Sequence, residues 1–178
     1  MGLFKQILKT LISPQKQQKI APSRTTKSAP SKTSESSEGR FQYAASLLDT
    51  GPDGYFVEPE DSYDLEIKGE SFYQEQLEAI AGPKSEKGTN YECRALLVCE
   101  KDNPKDKYAV SVKIQGEVVG FLSKSDAREW RKMLKAEGAD TSEVSVAALI
   151  VGGWRKTARN GATDEGSFGV KLDVPVDD

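Results

Sequence analysis

The chain contains no histidine among its 178 residues. That absence removes every imidazole-based triad or dyad, the two-histidine metal motifs, and the usual general base near neutral pH. Cysteine is almost as scarce, with only Cys93 and Cys99. On a strand running from Tyr91 to Glu100 the two would share a face but stand ~20 Å apart at ~3.3 Å per residue. A disulfide needs Cα atoms within ~4.4–6.8 Å of each other. Both thiols are therefore expected to be reduced, which suits a cytoplasmic protein. Two thiols without imidazole partners also make a poor zinc site. The acidic and amide residues around Asp102 lack the glycine and terminal glutamate spacing of an EF-hand. No nucleophile–base pair, phosphate loop or metal cluster appears, so the sequence points away from an enzyme and implies no cofactor.

What is present is unevenly distributed. Residues 1–34 carry seven basic side chains and no acidic one, whereas residues 35–178 hold 18 basic against 28 acidic. A basic arm on an acidic body commonly seeks an anionic surface; the alternative reading is a soluble tail rich in lysine. Within the arm, Leu3, Phe4, Ile7, Leu8, Leu11 and Ile12 recur at the spacing of an amphipathic helix over residues 1–12. Three turns cannot span a bilayer. Interrupted apolar residues without a small-residue cleavage site also argue against a secretory signal, and Gln6 argues against myristoylation of Gly2. The expected role is a conditional helix that lies on a membrane surface or docks in a protein partner's groove.

Residues 13–40 are rich in Ser, Thr, Lys, Gln and Pro and read as a flexible, disordered linker. Residues 41–62 read as an irregular connector, and regular structure is expected from about Asp64. Leu65, Ile67 and Gly69 alternate with charged residues as a strand. Ser71 and Gln74 have capping-box spacing before the apolar face of Tyr73, Leu77 and Ile80, which Gly82-Pro83 ends. Tyr91 to Val98 is apolar on both faces, as in a central strand. Tyr108, Val110, Val112 and Ile114 alternate, and Gln115-Gly116 turns the chain into Val118-Phe121 as a hairpin. Ser123 and Asp126 form a second capping box, ahead of a buried stripe of Ala127, Trp130, Met133 and Leu134 with Gly138 at C′. Val144, Val146, Ala148 and Ile150 make the next strand. A polar loop follows Trp154, and Phe168, Val170, Leu172 and Val174 end the fold. The order is β-α-β-β-β-α-β-β. It implies an α+β, mainly β body over residues 63–178, either a small OB-like barrel or a curved antiparallel sheet with two helices.

Three segments in this body resemble the HIRAN domain, a small nucleic-acid-binding module. They are Gly69-Glu70-Ser71-Phe72-Tyr73, then Asn103-Pro104-Lys105-Asp106-Lys107-Tyr108-Ala109-Val110, and Val119-Gly120-Phe121-Leu122-Ser123 before the second helix. The family has a glycine followed by aromatics at the first, and Asn-Pro-Tyr-Asp-x-Asn-Ala-Ile/Val at the second. The resemblance implies an OB-like barrel that binds single-stranded DNA at its three-prime end. Ser71 stands where the family's DNA-binding member has an arginine, and Lys105 where it has a stacking tyrosine.

The nucleic-acid site expected on that basis comprises Ser71, Phe72, Tyr73, Asn103, Lys105, Asp106, Lys124 and Phe168. Phe72 and Phe168 would stack on bases, and Lys105 and Lys124 would meet phosphates. Asp106 would accept a terminal hydroxyl and repel a continuing phosphate. Ser71 also reads as a helix cap, and Asn103 and Asp106 as stabilisers of their own turn. Trp130 and Trp154 read as core. Arg128, Arg131, Lys132 and Lys135 read either as a solvated helix face or as a phosphate-binding strip. A second function class stays open: a protein-interaction adaptor held by its N-terminal helix at a membrane or partner.

Overall fold

The computed structural model describes residues 55–140 and 143–174, together with the backbone of residues 11 and 12. The strands in chain order are β1 (Leu11–Ile12), β2 (Tyr55–Val57), β3 (Leu65–Glu66), β4 (Thr89–Cys99), β5 (Val110–Ile114), β6 (Glu117–Phe121), β7 (Val144–Gly152), β8 (Arg155–Thr157), β9 (Thr163–Glu165) and β10 (Phe168–Asp173). Two α-helices, α1 (Gln74–Ala81) and α2 (Lys124–Ala136), interrupt them, and a 3-10 turn spans Glu70–Phe72. The protein is mainly β, and its principal sheet is a curled, largely antiparallel half-barrel.

The expected order of elements holds from β3 to β7, and the expected last strand is β10. β4 is central, antiparallel to β5 on one side and to β7 on the other. The Gln115-Gly116 hairpin forms as its residues dictate: both have positive φ, 53° and 88°, as a tight reversal between twisted strands requires. Ile114 pairs with Glu117 and Val112 with Gly120, with Val119 as the extra residue of a bulge. At α2, the Ser123 side chain accepts from Asp126 N at 3.3 Å and donates to Asp126 Oδ2 at 2.6 Å, so Ser123 caps the helix, while the Asp126 carboxylate returns to the Ser123 hydroxyl. Ala127, Trp130, Met133 and Leu134 are buried on that helix. They join one apolar cluster with the inward residues of β4, β5, β7 and β10.

The sheet curls until its ends meet. β10 pairs with β7 and β3, and just beyond β3 the backbone of Lys68 pairs with Phe121 at the end of β6. Lys68 N donates to Phe121 O at 2.7 Å, and Phe121 N donates to Lys68 O at 2.9 Å. Gly120 makes this seam possible. A Cβ there would fall 2.5 Å from Ile67 Cδ1 and 2.9 Å from the Lys68 carbonyl oxygen.

Several expectations are corrected. Regular structure begins before Asp64, because Tyr55–Val57 of the supposed connector is a strand running parallel to β7. The connector is also anchored by the buried Asp173. Its carboxylate accepts from the backbone N–H groups of Glu60, Asp61 and Ser62 at 2.8–3.1 Å and from the Ser62 hydroxyl at 3.0 Å. Leu11 and Ile12 are extended and paired with β2. Leu3, Phe4, Ile7, Leu8 and the linker 13–40 lie outside the described residues. The polar loop after Trp154 contains the hairpin β8–β9, every residue of whose strands is exposed.

Two variants of solution and sequence probe this body. Gly120→Ala should lower the urea midpoint through overpacking of about 1–3 kcal/mol at the seam; an unchanged midpoint would mean the seam relaxes freely. Alkaline pH should also destabilise the fold. Burial pushes the Cys93 thiol from 9.0 up to about 12. Burial, reinforced by Glu92 and Asp173, pushes the Tyr63 phenol from 10.0 up to about 12. Both groups are held neutral by folding, so their contribution is complete below about pH 9 and is lost as pH rises toward 12. Unfolding midpoints measured from pH 8 to 11 should fall, and should fall less in a Tyr63→Phe, Cys93→Ala variant.

Candidate nucleic-acid interface

The seam opens onto a groove of about 550 Å³. Gly69, Phe72 and Tyr73 form one wall, residues 103–106 the opposite wall, and Phe121, Leu122, Lys124 and Ala127 the remaining side. Gly69 sits in the left-handed region at φ 89° and turns the chain into the 3-10 segment. That turn leaves Phe72 85% exposed, the most exposed large apolar side chain described. Such exposure gives nothing to the core. Tyr73 and Phe121 pack at 6.4 Å between ring centroids with a 49° tilt, an ordinary aromatic pairing.

The opposite wall is a turn built from its own side chains. Asn103 Oδ1 accepts from Lys105 N at 2.9 Å and Asp106 N at 3.1 Å, and Asn103 Nδ2 donates to Glu100 Oε2 at 2.6 Å. The turn-stabilising reading of Asn103 is therefore the one its geometry supports. Asp106 divides its carboxylate. Oδ1 accepts from Tyr108 N at 2.9 Å, and Oδ2 has no hydrogen-bond partner among the described residues. Lys105 and Lys124 are exposed, and neither joins an ion pair among the described residues.

Six of the expected residues thus share one groove: Phe72, Tyr73, Asn103, Lys105, Asp106 and Lys124. Two do not. Phe168 is 3% exposed and packs in the core, with its ring so close against Gly153 that a Cβ there would fall within 2.5 Å of three ring carbons. It offers no stacking surface. Ser71 is exposed but does not line the groove, and it caps nothing through its side chain. The apparent capping box fails because α1 starts at Gln74 itself, whose amide is used elsewhere. Gln74 Oε1 accepts from Phe168 N at 2.8 Å and Nε2 donates to Phe168 O at 3.0 Å, which fastens α1 to the start of β10.

The residue that sequence reasoning missed is Arg131, read among cations of a solvated helix face. Its Nε donates to Tyr108 O at 3.1 Å, and one terminal nitrogen donates to the carbonyls of Ala109, at 3.0 Å, and Glu100. A planar guanidinium with several donors suits this three-carbonyl clamp, which an ammonium could not reproduce. A cation seven residues into the helix, on the side next to the buried stripe, was the available signal. Among the described residues no group of three or more potential metal ligands gathers.

Comparison with protein families, with characterised proteins and with solved structures found no match.

Arg131→Met should free the loop 100–109, costing about 1.5–3 kcal/mol for hydrogen bonds from a charged donor. Hydrogen exchange should accelerate at Asp106 N and Ala109 N well beyond the change in global stability. Equal acceleration across β4 and β7 would show a merely global effect.

Proposed function

We propose that the folded body is a non-catalytic nucleic-acid-binding module that receives the end of a single DNA strand in this groove. The observation that carries the reading is the meeting of an exposed aromatic ring, two cations without carboxylate partners among the described residues and one half-committed carboxylate in a single groove. The resemblance of the three lining segments to HIRAN domains leads to the same proposal.

Each group has a task that its chemistry suits. Phe72 stacks on the terminal base, worth about 1–3 kcal/mol. Lys105 and Lys124 neutralise the first phosphates. The open oxygen of Asp106 accepts a hydrogen bond from a terminal hydroxyl, and its charge repels a phosphate in the same position, so an uninterrupted strand is disfavoured. Phe72 takes the stacking role at this site, because position 105 is a lysine and Phe168 is buried.

A fluorescence titration of the full chain with hydroxyl-ended and phosphate-blocked single strands, duplex and RNA tests the proposal at two salt concentrations. The hydroxyl-ended strand should bind tightest. Asp106→Ala should erase the preference for a free hydroxyl while leaving residual affinity. Phe72→Ala should weaken binding by about 1–3 kcal/mol with no change in melting temperature. Lys105→Glu should weaken every ligand alike and flatten the salt dependence. Absence of binding at low salt, or an Asp106→Ala protein with an intact end preference, would overturn the reading in favour of a protein-interaction adaptor.

A further inference from the structure

The groove does not stand alone on its side of the molecule. Six residues of α2 are exposed, and four of them are cations: Lys124, Arg128, Lys132 and Lys135. The helix has only two carboxylates, Asp126 and Glu129, and neither is exposed. Asp126 is occupied in the cap with Ser123. At 100° per residue the four cations fall within one narrow stripe, Lys124 at the groove and Lys135 in the last turn. Residues 35–178 as a whole are strongly acidic. The exposed Glu75 of α1 shows the opposite sign there, where no helical residue is basic.

The like-charge spacing within the stripe does not favour the helix. Lys124 and Arg128, like Arg128 and Lys132, are like charges at i, i+4, an arrangement that opposes helix formation by a few tenths of a kcal/mol per pair. None of the four forms an ion pair among the described residues. Beside the stripe lies a second exposed ring. Tyr108 is 40% exposed, with Arg128 at 5.8 Å and Lys107 at 5.0 Å from its ring centroid. Its position is fixed from behind, since its carbonyl is held by Arg131 and its N–H by Asp106.

We infer that the exposed face of α2 is a backbone track for the nucleotides that follow the bound end. The strand leaves the groove past Lys124, a base stacks on Tyr108, and successive phosphates meet Arg128, Lys132 and Lys135. Charge complementarity selects the occupant: a flexible polyanion with flat bases fits a row of cations interleaved with one ring. The helical rise of ~6 Å per four residues suits the phosphate-to-phosphate step of an extended strand. The track ends where Glu137 and Asp140 restore the acidic surface. This inference rests on the end-binding reading for its starting point, but its test separates the two.

The test compares single strands of about 4 and about 12 nucleotides, with free and blocked ends, on the full chain. The variants are Arg128→Gln, Lys132→Gln, Lys135→Gln combined, and Tyr108→Ala alone, each checked by its melting curve. The wild type should bind the longer strand more tightly. The triple variant should lose that advantage, with a salt slope shallower by about 2 for three phosphate contacts on a single strand. It should bind the 4-nucleotide strand as the wild type does. Tyr108→Ala should weaken only the longer strand. The track is overturned if the longer strand gains nothing in the wild type, if the triple variant keeps its salt slope, or if no single strand binds at low salt. Binding of the longer strand that depends on the stripe but ignores the state of the end would sustain the track and overturn the end site.

Discussion

Two hydrogen bonds between Lys68 and Phe121 bring the ends of the curled sheet together, and the groove exists only because they do. The first wall of the groove begins one residue after Lys68, and the third includes Phe121 itself. Ile67 is buried beneath the seam, and its side chain occupies the space that any side chain at position 120 would need. A glycine in a strand interior ordinarily costs stability through backbone entropy. Here that cost is offset by the close approach of two backbones. The seam therefore links a core residue, a strand glycine and an exposed aromatic, Phe72, in one constraint.

The turn 100–109 shows a division of labour between groups that build the site and groups left open to a ligand. Asn103, one oxygen of Asp106 and Arg131 are committed to carbonyls and N–H groups within the turn. Lys105, Lys124, Phe72 and the other Asp106 oxygen remain uncommitted among the described residues. A loop without buried apolar anchors would sample many conformations. Fastening it through a cation on α2 holds its wall opposite Phe72 without filling the groove. Ala109, buried at the end of the turn, is the one small apolar side chain it contributes inward.

Local rules were legible where the local signal was complete. The strands β4 to β7, the Gln115-Gly116 reversal and the Ser123 cap each depend on residues a few positions apart, and all are present. Errors arose where a distant partner won. Gln74 has the spacing of a capping residue from Ser71 but bonds to Phe168, 94 positions away. Asp173 organises a connector over a hundred residues earlier, a pairing no local pattern announces. The β8–β9 ribbon has no buried residue and hence no alternation to read. Phe168 was decipherable: its period-two phase with Val170 and Leu172 puts it on the inward face, and both neighbours are buried.

The acidity of the body bears on orientation more than on affinity. Screening reduces the reach of each exposed charge to about 8 Å at physiological ionic strength. A polyanion near the groove therefore responds to the cations within a few ångströms, not to the net charge of residues 35–178. Elsewhere on the surface the same polyanion also meets exposed carboxylates, as at Glu75 or the Glu137–Asp140 segment. Like-charge surroundings disfavour misplaced encounters. A small module with a uniformly basic surface would bind a strand anywhere along its length. On the proposed reading, the exposed cations beside the groove and along one helix face would hold a strand, and the Asp106 carboxylate among them would discriminate its end.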